Sequence, residues 1–374
     1  MYRILSIDGG GIRGLIPAVI LAYMEEQLQA RTGDPNATIA DFFDMIAGTS
    51  TGGILTCFYL MPPEKEQSLH SRYPARDAVD IYAKRGREIF KRRFGRFGLT
   101  SEIYSSTGIE RVLKEYMGSV TLAETRKDCL ITAYDITERK AVFFTRPDAR
   151  RYPHRNYLLR DVARATSAAP TYFEPAEIRS QGGVTAYLVD GAMFAGNPTL
   201  CAWVEAKKRN LALATAEKEE SAAPPEMTGE NRPFILSIGT GKERKKYDYN
   251  KAKDWGLIGW ARPVVDVLLS SSAEVVDYQM RKLYLLPSSK ERESHSAPLT
   301  DFPEKKNGGD VGETKPPENN NGGYLRLEPA LGKAKPDMDD ASPDNIRRLI
   351  DAAHAFIEEN LEQLDETIKI VNNE

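Results

Sequence analysis

Histidine is scarce in this chain, with four residues in 374, and cysteine is scarcer, with three. Cys57, Cys129 and Cys201 lie far apart and form no CxxC pair. That argues against a zinc site and against a disulfide framework, and it fits a reducing compartment. Long apolar runs are also missing: Ile54–Met61 is among the longest, far short of the ~20 residues of a spanning helix. Met1–Asp8 carries no basic-then-apolar leader and no small-residue cleavage site, so the expectation is a cytoplasmic chain whose only membrane contact is peripheral. A net charge of −3 argues against nucleic-acid binding through overall basicity. No Gly-Lys-Ser/Thr follows the first glycines, which excludes a phosphate-binding P-loop.

What is present is the grammar of an α/β protein. Tyr2–Ile7 reads as a buried strand, followed at once by glycines and by an apolar-periodic helix over Leu15–Arg31 that Gly33-Asp34-Pro35 closes. Phe42–Ala47, the turn Gly48–Gly53 and the helix Ile54–Met61 repeat the unit. Two successive strand-turn-helix units predict a parallel sheet. Cys129–Tyr134, Ala141–Thr145, Thr185–Val189, Phe234–Ile238 and Tyr324–Leu327 are the further strand candidates. The expected fold is a three-layer α/β/α domain with a mostly parallel central sheet and a C-terminal helix opened by Ser342-Pro343-Asp344. Residues 1–285 make the main domain, with a polar, mobile insert near 214–232; 287–323 is a second such segment, and 324–374 returns to pack on the domain.

Gly48-Thr49-Ser50-Thr51-Gly52 is a GxSxG sequence between strand and helix, a setting that pushes a serine onto a sharp, exposed elbow. Gly48 and Gly52 remove side chains that would clash in so tight a turn. A helix-capping Ser/Thr cluster explains the same pentapeptide. A serine nucleophile needs a base, and none of the histidines has a strand-end context: His70 is in a polar stretch, His154 among arginines, His295 in the second insert, His354 at the edge of the C-terminal apolar stripe. Asp190 ends the strand Ala186–Val189 at Asp190-Gly191-Ala192, where α/β folds place catalytic groups, although Asp-Gly is also an ordinary turn. Gly9, Gly10 and Gly11 can present backbone N–H groups to an oxyanion at a helix N-terminus. Gly9, Gly11 and Gly14 equally satisfy GxGxxG, the dinucleotide fingerprint, which calls for an acidic residue ending the second strand. That strand ends in the serine elbow instead, and Asp34, at the right separation, falls in a turn.

In order and context, Asp8-Gly9-Gly10-Gly11-Ile12-Arg13-Gly14, Gly48-Thr49-Ser50-Thr51-Gly52-Gly53 and Asp190-Gly191-Ala192 resemble the three signatures of the patatin-like phospholipases. Thr166–Tyr172 and Asn197–Leu200 extend the resemblance across about residues 1–240. It implies a cofactor-free, metal-independent esterase of phospholipids or related glycerolipids. In that reading Ser50 is the nucleophile, Asp190 the base, Gly9–Gly11 the oxyanion hole, and Arg13 a loop support or a contact for lipid phosphate. Asp190-Gly191-Ala192-Met193-Phe194 departs from the Asn-containing continuation of plant storage patatins, which leaves substrate detail open. A nucleotide-activated phospholipase of antiphage defence is an alternative on the same dyad; a non-catalytic dinucleotide- or lipid-binding protein is one of another class.

Lys84–Phe97 interleaves seven basic residues with aromatics. It suits an anionic membrane surface or a nucleotide activator, and equally a solvated helix with its phenylalanines turned inward. Trp255–Trp260 suits an interfacial lip, but core packing is the simpler expectation for tryptophan.

Overall fold

The computed structural model describes residues 1–64, 68–91, 103–216, 232–242, 247–285 and 323–374. Its strands are β1 (Arg3–Ile7), β2 (Met45–Gly48), β3 (Asp128–Asp135), β4 (Lys140–Thr145), β5 (Ala176–Arg179), β6 (Thr185–Asp190), β7 (Phe234–Ile238) and β8 (Tyr324–Leu327). They form one eight-stranded sheet in the order β5-β6-β3-β2-β1-β7-β8, with β4 also paired to β3. β1, β2, β3, β7 and β8 run parallel; β4, β5 and β6 add antiparallel pairings.

The strands are apolar on both faces because helices cover both. Leu5, Ile7, Ile46, Ile131 and Leu236 point into one core, and the alternate residues Ile4, Met45, Ala47, Leu130 and Ile235 into another. Over the first face lie α1 (Leu15–Thr32), α2 (Thr51–Tyr59), α3 (Ala75–Ile89), α4 (Ser106–Met117) and the helices Pro343–Glu359 and Leu361–Asn372. Thr199–Ala216 and Gly256–Leu285 cover the second. This is the expected three-layer architecture.

Some boundaries differ from the sequence reading for local reasons. Ile39–Phe42 coils into a 3-10 turn under a Thr38/Asp41 capping box, so β2 starts only at Met45. β5 escaped the pattern because only Ala176 and Ile178 of its four residues are apolar, alternating with the exposed charges Glu177 and Arg179. The C-terminal helix is two helices, broken at Asn360. The segment 324–374 is joined to the domain by hydrogen bonding, since β8 pairs in parallel with β7. Of the expected inserts, 214–216 belong to the helix Thr199–Ala216, Arg232 and Gly323 are described, and 217–231 and 287–322 lie outside the described residues.

β4 occupies one edge of β3 along residues 130–135. β2, paired at 128–131, and β6, paired at 133–135, must therefore share the other edge. They run toward each other: Gly48 stands opposite Ile131 and Asp190 opposite Ala133. The carboxyl ends of two strands remote in sequence thus meet with only Thr132 between them.

Candidate active site

Ser50 follows β2 and precedes α2 with φ 55° and ψ −122°, a left-handed conformation that costs a non-glycine residue roughly 1–3 kcal/mol and persists only where surroundings enforce it. Here its N–H donates to Thr166 Oγ1 at 2.9 Å, and its carbonyl accepts from Ile54 N at 3.0 Å. The turn is so tight that a Cβ on Gly48 would stand 2.1 Å from the Gly52 carbonyl oxygen, and it packs so close to β1 that one on Gly52 would stand 2.1 Å from the Ile7 carbonyl oxygen. The elbow expected from Gly48–Gly52 is therefore present, and Ser50 caps the first turn of α2.

Asp190 is 2% exposed. Its N–H donates to Ala168 O at 3.0 Å, and its Oδ1 accepts from Ala192 N at 2.8 Å. Burial pushes its carboxyl up to about 7, against the opposing pull of hydrogen bonds from the Ser50 side chain and the Ala192 N–H. A carboxylate in contact with a serine hydroxyl and poised near neutrality has the properties of a general base.

The glycine loop corrects one expectation. Gly9 cannot offer its N–H to a ligand, because that group donates to Gly196 O at 2.9 Å, while Thr240 Oγ1 holds the Gly9 carbonyl at 2.7 Å. For Gly10 and Gly11, no described group accepts from the N–H, and both residues line the pocket that holds Ser50 and Asp190. Gly11 has φ +60°, and a Cβ there would fall 2.1 Å from Met338 O. Arg13 is absent from the pocket wall; its Nε donates to Gly10 O at 3.4 Å, a loop-supporting contact.

That pocket is narrow, with about 80 Å³ of free volume. Ser50, Asp190, Gly10 and Gly11 line it together. Phe58 of α2, Ile81 and Ile89 of α3, and Ile109, Val112 and Leu113 of α4 make its walls, and Met193 and Met338 also line it. No described histidine lines it. His70 is held by Asp41 at 2.8 Å and Asp34 at 3.2 Å, His354 lines a separate groove beside α1, His154 meets the Tyr152 ring at a tilt, and His295 is outside the described residues. Among the described residues no cluster of three or more His, Cys, Asp or Glu could hold a metal.

Two residues outside the motifs act on the loop and on the elbow. Arg326 of β8 reaches Asp8 through Nη1 at 2.9 Å from Oδ1, and also holds Ser237 and Glu328. Thr132 Oγ1 bonds Thr49 Oγ1 at 2.7 Å beside the elbow. Neither carries a recognisable signal in sequence, since a lone Arg in a short edge strand and a Thr in a buried one are commonplace.

The first part of the basic segment is neutralised locally. Lys84 pairs with Asp80 at 2.8 Å, and Arg85 with Glu88 at 2.8 Å and Glu115 at 2.9 Å. Ile89 and Phe90 line the pocket, and residues 92–97 lie outside the described residues. Trp260, expected in the core, is 44% exposed and meets Trp255 edge to face at 5.0 Å. No described helix is long and apolar enough to cross a membrane.

The profile of the family described as "Patatin-like phospholipase" matches residues 5–203. The chain is 31% identical to "Patatin-like protein 2" of Oryza sativa subsp. indica, over 98% of this chain and 86% of that protein. It is 33% identical to "Patatin-like protein 1" of Arabidopsis thaliana, over 78% and 73%. To "Probable inactive patatin-3-Kuras 1" of Solanum tuberosum it is 32% identical, over 76% and 75%.

Proposed function

From the premise that this chain belongs to the patatin-like phospholipase family, a family of lipid acyl hydrolases, we propose that it cleaves acyl esters of phospholipids or related glycerolipids through Ser50 and Asp190. The observation that carries this reading is the meeting of β2 and β6 on one edge of β3, which brings the strained serine and the buried carboxylate together in one apolar pocket.

In the proposed sequence, the acyl chain lies along Phe58, Ile81, Val112 and Leu113 with its carbonyl carbon at Ser50 Oγ. Oγ attacks as its proton passes to Asp190. The N–H groups of Gly10 and Gly11 receive the oxyanion, where one such donor is worth roughly 3–4 kcal/mol. The intermediate collapses as Asp190 returns the proton to the departing alcohol, leaving the acyl group on Ser50. Asp190 then takes a proton from water as hydroxide adds to the acyl carbon; the second intermediate collapses with cleavage of the bond to Ser50 Oγ, Asp190 returns the proton to that oxygen, and free fatty acid leaves. Each proton is carried by Asp190, so no step calls for a cofactor.

A fluorophosphonate probe tests the nucleophile. Labelling confined to Ser50, with loss of hydrolysis in Ser50→Ala and Asp190→Asn and retention in His354→Ala, supports the dyad; loss in His354→Ala with activity in Asp190→Asn sinks it.

A further inference from the structure

The helix Gly256–Leu285 leaves an apolar stripe in solvent. Trp260, Val264, Val267, Leu268, Val275 and Tyr278 are each between 39% and 64% exposed. At about 100° per residue they fall within one sector of the helix surface, ~27 Å long at 1.5 Å per residue. Single exposed apolar residues are ordinary, but six along one sector of a helix mark a surface meant to be covered.

The helix is tied to the segment that carries Met193 of the catalytic pocket. Ser272 Oγ accepts from Gly196 N at 3.3 Å, which fastens the helix beside the turn that follows Asp190. Leu268 and Val275 stand four residues before and three after Ser272, on the same side of the helix. That turn carries Met193, 38% exposed and part of the pocket lining. On its other flank Phe194 meets Phe143 edge to face at 5.7 Å, and Phe143 is 42% exposed. Exposed apolar residues therefore stand on the helix, at Met193 and at Phe143, and Met193 itself lines the acyl pocket.

We infer that this surface docks the protein on an uncharged or zwitterionic lipid layer, with the helix Gly256–Leu285 lying along the interface and the Met193 turn delivering acyl chains to the pocket. The inference rests on the esterase reading. A lipid layer is favoured over a protein partner because a protein seated across Met193 would close the pocket, whereas a layer of substrate feeds it. Charge points to a neutral layer: among the described side chains of the sector between Trp260 and Tyr278, Glu274 is the one charged group, with Lys242 4.0 Å away. Binding through this face is thus hydrophobic and insensitive to salt, unlike that expected of a basic segment.

The full chain carrying Ser50→Ala, which leaves lipid intact, is mixed with phosphatidylcholine vesicles and recovered by flotation, with and without Leu268→Asp/Val275→Asp. The expected result is salt-resistant binding that the double substitution weakens by about tenfold or more. In the active enzyme the same pair should lower hydrolysis of vesicle lipid while p-nitrophenyl butyrate is cleaved as before. Unchanged vesicle binding and hydrolysis overturn the inference, as does binding only to anionic vesicles. A concentration-dependent dimer abolished by the pair assigns the face to a second copy, and a fall in Tm assigns it to the chain's own packing; both overturn the inference. Failure of the esterase reading is seen separately, as wild-type protein that neither cleaves the soluble ester nor reacts with a fluorophosphonate.

Discussion

Arg326 binds the carboxylate of Asp8 across 318 residues of sequence, with Nη1 2.9 Å from Oδ1 and Nη2 on Oδ2. Burial pushes Asp8 up to about 6 even with the guanidinium opposing it. The pair fixes the residue immediately before the glycines from a strand beyond the residues that match the family. Removing one partner of a buried pair typically costs roughly 3–5 kcal/mol. Arg326→Met is expected to lower Tm and kcat while leaving KM for a short ester unchanged, because no pocket wall is touched. Adding Asp8→Asn should recover part of the Tm. Thermal melts and steady-state kinetics read both.

The activity should rise with pH. Asp190 must be ionised to accept the Ser50 proton, and its carboxyl is raised to about 7. Below that value kcat/KM for a neutral ester should fall by about tenfold per pH unit, with a plateau above. A limb centred near pH 4 would exclude Asp190 as a base in this environment.

The same burial makes Asp190 a stability liability. The unfolded chain releases the proton near 3.8 and the folded one near 7. Stability contributed by the neutral form is therefore complete below pH 4 and is lost as pH rises through 7. Asp190→Asn, which cannot ionise, should melt at the wild-type temperature at pH 4 and above it at pH 8, while being inactive. Calorimetry at the two pH values decides it.

Gly11→Ala and Gly33→Ala separate strain from collision. Both glycines have positive φ, +60° and +69°, but only Gly11 faces backbone, with Met338 O 2.1 Å from the added carbon. Gly33→Ala should cost about 1–2 kcal/mol and no activity. Gly11→Ala should destabilise more and abolish turnover, as seen by melts and ester assays.

Val112 is buried in the pocket wall. Val112→Trp should shorten the accepted acyl chain: hydrolysis of long-chain esters falls while acetyl and butyryl esters are cleaved at near wild-type rates. Overpacking should cost roughly 1–3 kcal/mol, and a chain-length series checks it. Uniform loss at all lengths would place the acyl group elsewhere.

The sequence made the local units legible. β1, the glycine loop and α1, and then β2, the Ser50 turn and α2, are each contiguous, so periodicity and punctuation suffice to find them. Asp190 was readable as a strand end but not as a neighbour of Ser50, since their meeting depends on how β2 and β6 pair with a third strand. The Gly9 N–H illustrates the same limit: only the fold reveals that Gly196 O occupies it. Trp260 departs from the usual burial of tryptophan because it sits on a helix whose outer face meets solvent. Arg326 had no motif to announce it.

Thr132 gives the β3 edge its last consequence. Strand rise is ~3.3 Å per residue, so the single residue between the partners of Gly48 and Asp190 works as a caliper set by peptide geometry. Loops around the site can lengthen, shrink or change composition without altering its opening. A one-residue insertion in the middle of β3 would re-gauge it at once, with every residue of the site still in place.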